Sequence, residues 1–316
     1  MNADELRQLD FAWLWKGRGK TTEVEGRILL ELLDKVDNAR VLELGAGNGR
    51  LTPFLRKGAE TYLGADAVPE FLQELAQGQA PFSPGTLFAA NAYHLPLPDK
   101  SISACVLVRV FNFLDEPSRA MAEIRRVLIP GGTLILGVQV RPSVATLVDD
   151  LKAFLENLPS REPLTLGGAE RVQVRMTNVP AWQYRTRELL KILSHEGFTL
   201  REVRVSGLED YRVLRRLPGQ FFLRLSALGQ PLSLFPTLFL LLQSGKGEGP
   251  FRWDTPLKFV CPACRSALTR PSPDLPELRC AKCGYHTVIT RDIPDLRWAV
   301  VENRSGKDRQ ASPPTT

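Results

Sequence analysis

Cysteine is scarce, at 5 in 316 residues. So few thiols exclude a disulfide-stapled secreted scaffold, and four of the five fall in two Cys-x-x-Cys pairs, a spacing that points to metal. Long apolar runs are also missing. A membrane helix needs roughly 20 consecutive apolar residues, whereas the longest apolar stretch here, 231–247, is broken by Pro231 and Pro236. Neither sign of charge dominates: the net charge is +6, which permits contact with nucleic acid or an anionic membrane without demanding either. The opening MNADELRQLD lacks the basic flank and apolar core of an export signal, so a reducing cytoplasm is the expected location. No repeat at a fixed period is visible, and no obvious nucleophile–base pair.

What is present is globular: 24% charged and 43% hydrophobic residues, over a length that suits one large domain plus a small one. Residues 1–40 read as a helical cap, with DELRQLDFAWLW and TTEVEGRILLELLDKV separated by a break at Lys16–Gly19. From Arg40 the pattern alternates between strands (ARVLEL, TYLGAD, GTLFAAN, ISACVLVRV, TLILGVQV, FTLREVRVSG) and helices (LTPFLRKG, VPEFLQELAQ, PSRAMAEIRRVL, TRELLKILSHEG). A turn is expected at Pro130-Gly131-Gly132, and the stretch 231–247 reads as a closing strand. Such alternation predicts an α/β fold, a doubly wound and mostly parallel sheet with helices on both faces. The expected division is 41–245 for this domain, 246–256 for a linker, 257–298 for a small cysteine module and 299–316 for a disordered polar tail.

The strand ARVLEL runs directly into Gly45-Ala46-Gly47-Asn48-Gly49. A ligand is expected at that strand end, where backbone can approach closely. A dinucleotide fingerprint would put its third glycine at position 50, which is Arg50, and Glu43 ahead of the loop would repel phosphate. An acid there suits a ligand bearing an ammonium and a sulfonium. Asp66 closes the next strand and can accept hydrogen bonds from both ribose hydroxyls.

With these residues in place, VLELGAGNGRLTPFL, YLGADAVPEFL, NAYHLPLPDKSISACVLVRVFNFLDEP and EIRRVLIPGGTLIL resemble the class I S-adenosylmethionine-dependent methyltransferases. Within them, the similarity is to the broad subgroup that includes quinone-biosynthesis C-methyltransferases. The resemblance implies a Rossmann-like fold and S-adenosylmethionine as cofactor. It implies that Glu43, Gly45, Gly47 and Gly49 line the methionine half, that Asp66 holds the ribose, and that Asn91 and Ala92 stand beside the adenine. Asn91 replaces the family's usual aspartate, and Ser103 replaces a frequent one on the fourth strand.

Methyl transfer from a sulfonium is an in-line displacement that needs chiefly orientation, so the missing triad does not exclude an enzyme. The acceptor pocket is expected around Tyr93, His94 and 109–113, with Tyr93 or His94 as base for a hydroxyl or amine acceptor. Arg18 and Lys20 are candidate lid residues for the cofactor's carboxylate. The Asn/Asp-Pro-Pro-Tyr strand end of enzymes methylating exocyclic amino groups of bases is absent, since the segment reads Val110-Phe111-Asn112-Phe113. Between Arg171 and Arg224 stand eleven Arg or Lys against five Asp or Glu, including Arg215 and Arg216, a stripe that can follow phosphates or face solvent.

Cys261-Pro-Ala-Cys264, then Cys280-Ala-Lys-Cys283 after fifteen intervening residues, has the spacing of a structural four-thiolate Zn2+ site. The module resembles the small zinc-ribbon proteins that bind and activate methyltransferases. That likeness implies a ribbon packed in cis on the main domain, and the expected surface is near Phe235–Leu242. The sequence thus predicts a methyltransferase acting on a small organic or lipid-like acceptor. An RNA methyltransferase and a non-catalytic cofactor-binding module are the alternatives.

Overall fold

The computed structural model describes residues 6–7, 15–79, 81–141, 171–176, 179–209, 214–227, 235–245, 257–272 and 275–297. Five strands run parallel in the order β3 (Leu87–Ala89), β2 (Thr61–Asp66), β1 (Arg40–Leu44), β4 (Ile102–Val108) and β5 (Leu128–Arg141). Beyond β5 lies β9 (Thr237–Ser244), antiparallel, followed by β8 (Phe198–Ser206). A hairpin of β6 (Arg171–Met176) and β7 (Val179–Arg185) attaches to the far end of β5, where Val140 pairs with Tyr184. The doubly wound, mostly parallel sheet expected from the alternation is therefore present.

Helices cover both faces. The helices α1 (Gly19–Leu33), α2 (Thr52–Gly58) and α3 (Pro69–Gly78) bury Val24, Ile28, Leu32, Leu55 and Leu72 on one side. On the other, α4 (Pro117–Val127) and α5 (Thr186–His195) bury Met121, Ile124, Leu189 and Leu193. The α1 stripe follows the helical period, so one face enters the core while Glu23 and Arg27 pair on the outside. A sixth helix, α6 (Gly219–Ala227), adds Phe222 to the first side. Of the first 40 residues, 1–5 and 8–14 lie outside the described residues, and α1 packs over a sheet face.

Two expectations are corrected. Pro130–Gly132 is no free turn: it sits inside β5 as an irregularity, with the pairing stepping from Ile102/Leu128 to Ala104/Thr133 and Gly131 at φ 76. The stretch near Phe235–Leu242 does not receive the cysteine module. It forms β9, whose Leu238, Leu240 and Leu242 are buried between β5 and β8, because a continuous apolar run also suits a strand covered on both faces. Ser103 lies at the start of β4, where its hydroxyl accepts from the Arg40 amide (2.9 Å) and donates to the Arg40 carbonyl (3.0 Å). It ties β1 to β4 at the end away from the glycine loop. No helix among the described residues is long and apolar enough to cross a membrane.

The module adds β10 (Glu277–Arg279), β11 (His286–Thr290) and β12 (Ile293–Pro294) and docks on the opposite edge of the sheet, at β3. Asp295 bridges Ala89 in parallel sense, and the Leu296 amide donates to the Ala89 carbonyl (2.8 Å). Phe259 packs on Phe88, ring centroids 4.9 Å apart, and the Val260 amide donates to the Pro96 carbonyl (3.0 Å). An otherwise unpaired sheet edge is thereby covered.

Candidate functional site

The glycine loop owes its shape to β2. The Ala65 carbonyl accepts from the amides of Gly45 (2.7 Å) and Ala46 (3.0 Å). Gly45, Gly47 and Gly49 all have positive φ, at 86°, 55° and 91°. At Gly45 a side chain is doubly excluded, since a Cβ there would sit 2.1 Å from Val110 Cγ2. Gly45→Ala should therefore push the β4 end away from the loop and destabilise the protein by about 1–3 kcal/mol. Thermal unfolding measures it, and an unchanged midpoint would contradict the packing described.

Two acids flank this loop, both buried. Asp66 holds the loop against the end of β2: Oδ2 accepts from the Gly47 amide (2.8 Å) and Oδ1 from the Val68 amide (2.9 Å). Burial raises its pKa to about 6, while the backbone amides of Val68, Gly47 and Ala67 act against that rise. Each carboxylate oxygen has a second lone pair, so further donors can be accepted. Glu43 is held from behind, its Oε2 accepting from Tyr62 (2.5 Å) and from Thr52 Oγ1 (2.7 Å). Burial lifts its pKa to about 7, and the hydroxyls of Tyr62 and Thr52 and the nearby Arg50 pull the other way.

Asn91 follows β3. Its Oδ1 accepts from the Tyr93 amide (3.0 Å) and its carbonyl from the His94 amide (3.0 Å), which makes a tight turn carrying Ala92. The Tyr93 hydroxyl accepts from the amides of Asp115 (3.1 Å) and Glu116 (3.3 Å) just ahead of α4. His94 Nε2 lies 2.6 Å from Arg119 Nη2. Burial and then Arg119 lower the His94 pKa, so the ring is neutral at neutral pH.

The segment 109–113 does not simply line a pocket. Phe111 and Asn112 turn inward, and Asn112 Nδ2 donates to the carbonyls of Gln139 (3.0 Å) and Trp182 (2.7 Å). Arg109, at φ 61, reaches instead to Glu25 of α1 (2.6 Å). Arg50, directly after the loop, meets the other oxygen of Glu25 at 2.7 Å. Burial alone would raise Glu25, but Arg109 and Arg50 outweigh it and hold the carboxyl below its ordinary range. Trp15 covers the group, its ring 3.7 Å from the Arg50 guanidinium carbon and 5.0 Å from that of Arg109. Lys20 is no lid over the glycine loop: its Nζ donates to the Leu217 carbonyl (2.7 Å). The Arg18 guanidinium carbon lies 5.7 Å from the Trp15 ring centroid.

The sequence reading missed Glu25, Trp15, Thr52 and Tyr62, and it named Arg109 only as the first residue of the expected acceptor-pocket segment. One signal was available. Glu25 is a lone acid on the α1 stripe, three, four and seven residues before Ile28, Leu29 and Leu32, where an apolar residue is expected.

In the cysteine module, two knuckles repeat one geometry. The Cys261 amide donates to Ser266 and its carbonyl accepts from Arg265; the Cys280 amide donates to Tyr285 and its carbonyl accepts from Gly284. Arg265 (φ 60) and Gly284 (φ 75) share the left-handed position. The four sulfurs lie within 4.8 Å of one another, with Cys261–Cys283 at 3.5 Å and Cys264–Cys280 at 3.4 Å. Zn–S bonds of about 2.3 Å in a tetrahedron put sulfurs about 3.8 Å apart, so the donor set fits Zn2+. His286 belongs to β11 and stands opposite Arg279, outside this group.

Comparison with known proteins agrees with this geometry. The methyltransferase domain family matches residues 42–136. An uncharacterized methyltransferase of Mycobacterium bovis is 33% identical over 145 residues, covering 44% of this chain and 58% of that protein. The chain thus spans a little over half the length of these curated relatives. Demethylmenaquinone methyltransferase of Thermus thermophilus is 33% identical over 101 residues, covering 31% of this chain and 46% of that one. Among solved structures, an S-adenosylmethionine-dependent methyltransferase from Mesorhizobium loti has a TM-score of 0.50 at 18% identity, over 70% of this chain and 97% of that one. A complex of the Haloferax volcanii Trm112 methyltransferase activator with a putative methyltransferase also has a TM-score of 0.50 at 18% identity, covering 79% of this chain and 100% of that one. Residues 42–136 thus carry a match to the methyltransferase domain family, and the strand order with the glycine loop at the end of β1 agrees with the fold of the S-adenosylmethionine-dependent methyltransferase structure.

Proposed function

We propose that the chain transfers a methyl group from S-adenosylmethionine to a small organic or lipid-like acceptor. In this reading 41–245 is the catalytic domain and 257–298 a Zn2+-stabilised ribbon. The observation that carries it is the pair of buried acids, Glu43 and Asp66, on either side of a loop whose glycines admit close backbone approach. Buried carboxyls with raised pKa values suit a ligand that brings its own cations and hydroxyl donors. Asp66 would take the ribose hydroxyls, Glu43 and the amides of the glycine loop the methionine half, and Asn91 and Ala92 the adenine. Bound there, S-adenosylmethionine supplies an activated methyl carbon. The chain's part is orientation and exclusion of water. Tyr93 and His94 are the proposed bases where the acceptor is a hydroxyl or amine, His94 being held neutral as a base must be.

The demethylmenaquinone methyltransferase relative supports an apolar acceptor. The basic run supports RNA less well where it is described: Arg204 is paired with Glu202 and Glu31, and Arg201 with Gln243. The Haloferax complex supports a functional tie between ribbon and domain, here within one chain.

Titration calorimetry across pH tests the cofactor site. Both acids must ionise to receive the ligand, so affinity should rise between about pH 5.5 and 8 as pH passes about 6 for Asp66 and about 7 for Glu43. The ligand-free fold should behave oppositely. Its two acids hold protons that the unfolded chain has already lost, so their contribution to stability declines as pH rises from about 4 to 7. A pH-independent affinity would contradict the assignment.

A further inference from the structure

The chain between β8 and β9 leaves the sheet at the end that carries the glycine loop. Ser206 closes β8 with its Oγ 3.3 Å from Glu25, whose carboxylate also meets Arg50 directly after that loop. Residues 211–247 contain no Asp or Glu and five Arg or Lys, whereas the full chain of 316 has 35 acids. Such a segment cannot neutralise its own cations. Within it, α6 packs on α1 and β8 and buries Phe222 and Ser226. Lys20 anchors the entry to this helix through the Leu217 carbonyl (2.7 Å). Pro218, Phe221 and Arg224 follow one another at intervals of three on the outward face, with Leu217 and Leu225 half-buried beside them. Phe221 is 46% exposed and rests edge-on against Phe222, ring centroids 5.5 Å apart.

Arg216 and Arg224 are exposed and make no ion pair among the described residues. The acids of the two elements packed against α6 are committed elsewhere. On α1, Glu23 pairs with Arg27, Glu25 with Arg50 and Arg109, and Glu31 with Arg204; on β8, Glu202 pairs with Lys35 and Arg204. An exposed aromatic ring flanked by two unneutralised guanidiniums offers what an anionic lipid surface rewards, an apolar group for the acyl boundary and cations for the headgroups.

We propose that the face formed by Arg216, Phe221 and Arg224 docks the protein on an anionic lipid bilayer, with the methyl-transfer end of the sheet toward the membrane. The inference deepens the proposed function and rests on its lipid-like acceptor: a molecule dissolved in a bilayer is collected at the bilayer surface, and this face lies at the sheet end where the acceptor is expected. RNA would meet the same two cations but only one exposed ring, where single-stranded binders stack successive bases on several. Two guanidiniums and one ring give a weak, reversible contact, which suits an enzyme that collects one acceptor and leaves.

The test is co-sedimentation of the full, metal-loaded chain with phosphatidylcholine vesicles, with and without about 30% phosphatidylglycerol, at about 0.1 M salt. Partitioning onto the anionic vesicles should exceed that onto neutral ones by at least about tenfold. Arg216→Gln combined with Arg224→Gln should cut that preference below about threefold, and Phe221→Ser should weaken binding to anionic vesicles about fivefold. All three side chains are exposed, so the unfolding midpoint should stay where it is in the wild-type protein. Equal partitioning onto the two vesicle types, a preference that survives the double substitution, or binding indifferent to Phe221→Ser overturns the proposal. Binding of a single-stranded oligouridylate under the same conditions, with no binding to vesicles, also overturns it and reassigns the face to RNA. The vesicle measurement needs neither cofactor nor methyl transfer. Its failure therefore leaves the methyltransferase reading standing, and a failure of S-adenosylmethionine to bind leaves the vesicle result standing.

Discussion

Glu25→Ala should cost the fold about 3–5 kcal/mol, among the largest losses any single substitution here can cause. The carboxylate is fully buried and meets two guanidiniums that are themselves 14% exposed. Removing it leaves Arg50 and Arg109 facing each other with no counter-charge, in a place where water cannot replace it. Burial also lowers the Arg50 pKa. The penalty comes from the orphaned charges and not from lost packing, so a second change should relieve it. Glu25→Leu combined with Arg109→Met should recover much of the stability that Glu25→Leu alone forfeits. Denaturant unfolding of the single and double variants checks this. A loss below about 1 kcal/mol for Glu25→Ala would mean that the cluster is open to water.

With Zn2+ held by the four cysteines as proposed, its removal should unfold the ribbon and uncover the sheet edge it protects. Few apolar side chains in the module are buried: Leu268, Tyr285, Ile293 and Leu296 are the main ones beside the cysteines. So small a core does not hold some forty residues, whereas structural Zn2+ in comparable peptides contributes about 10–16 kcal/mol. The consequence reaches the main domain through hydrogen bonds close to the proposed site, besides the one from Arg265 to Glu123. Leu296 donates to Ala89, Arg297 Nη1 to the Ala67 carbonyl (3.3 Å), and Val260 to Pro96. Ala67 follows Asp66, and Ala89 lies two residues before Asn91. Chelation, or Cys280→Ser, should therefore abolish hydrogen-exchange protection across 259–297 and reduce it over 87–96, while β1, β4 and β5 keep theirs. Protection of 259–297 that persists in metal-free protein would show that the module folds without Zn2+.

How far the sequence carries depends on the range of the interaction. The glycine loop and the helices beside it are legible because local rules govern them: positive φ selects glycine, and apolar spacing selects helix or strand. The cysteine knuckles are legible for the same reason, each being closed by bonds over four or five residues. The hairpin of β6 and β7 was hidden by its charge. In Arg171–Met176 the residues Val172, Val174 and Met176 alternate with polar ones, but the arginines read first as a basic stripe. The Glu25 cluster was not legible as a cluster, since its partners stand 25 and 84 residues apart in sequence and meet only when α1 folds over the ends of β1 and β4. The docking edge of the ribbon was misread because apolarity alone does not distinguish a strand awaiting a partner from one already between two.

The most direct test of the central claim is calorimetric titration of S-adenosylmethionine into the intact, metal-loaded protein at pH 8, repeated on Asp66→Ala and with NAD as control ligand. Asp66 accepts from both the loop and the following helix entry, and it is the acid assigned to the ribose. The expected result is saturable binding of S-adenosylmethionine, no binding of NAD, and a loss of about 1–3 kcal/mol in the variant, or roughly 5- to 150-fold in affinity. Failure of S-adenosylmethionine to bind the folded protein, or equal affinity in Asp66→Ala, would contradict the account.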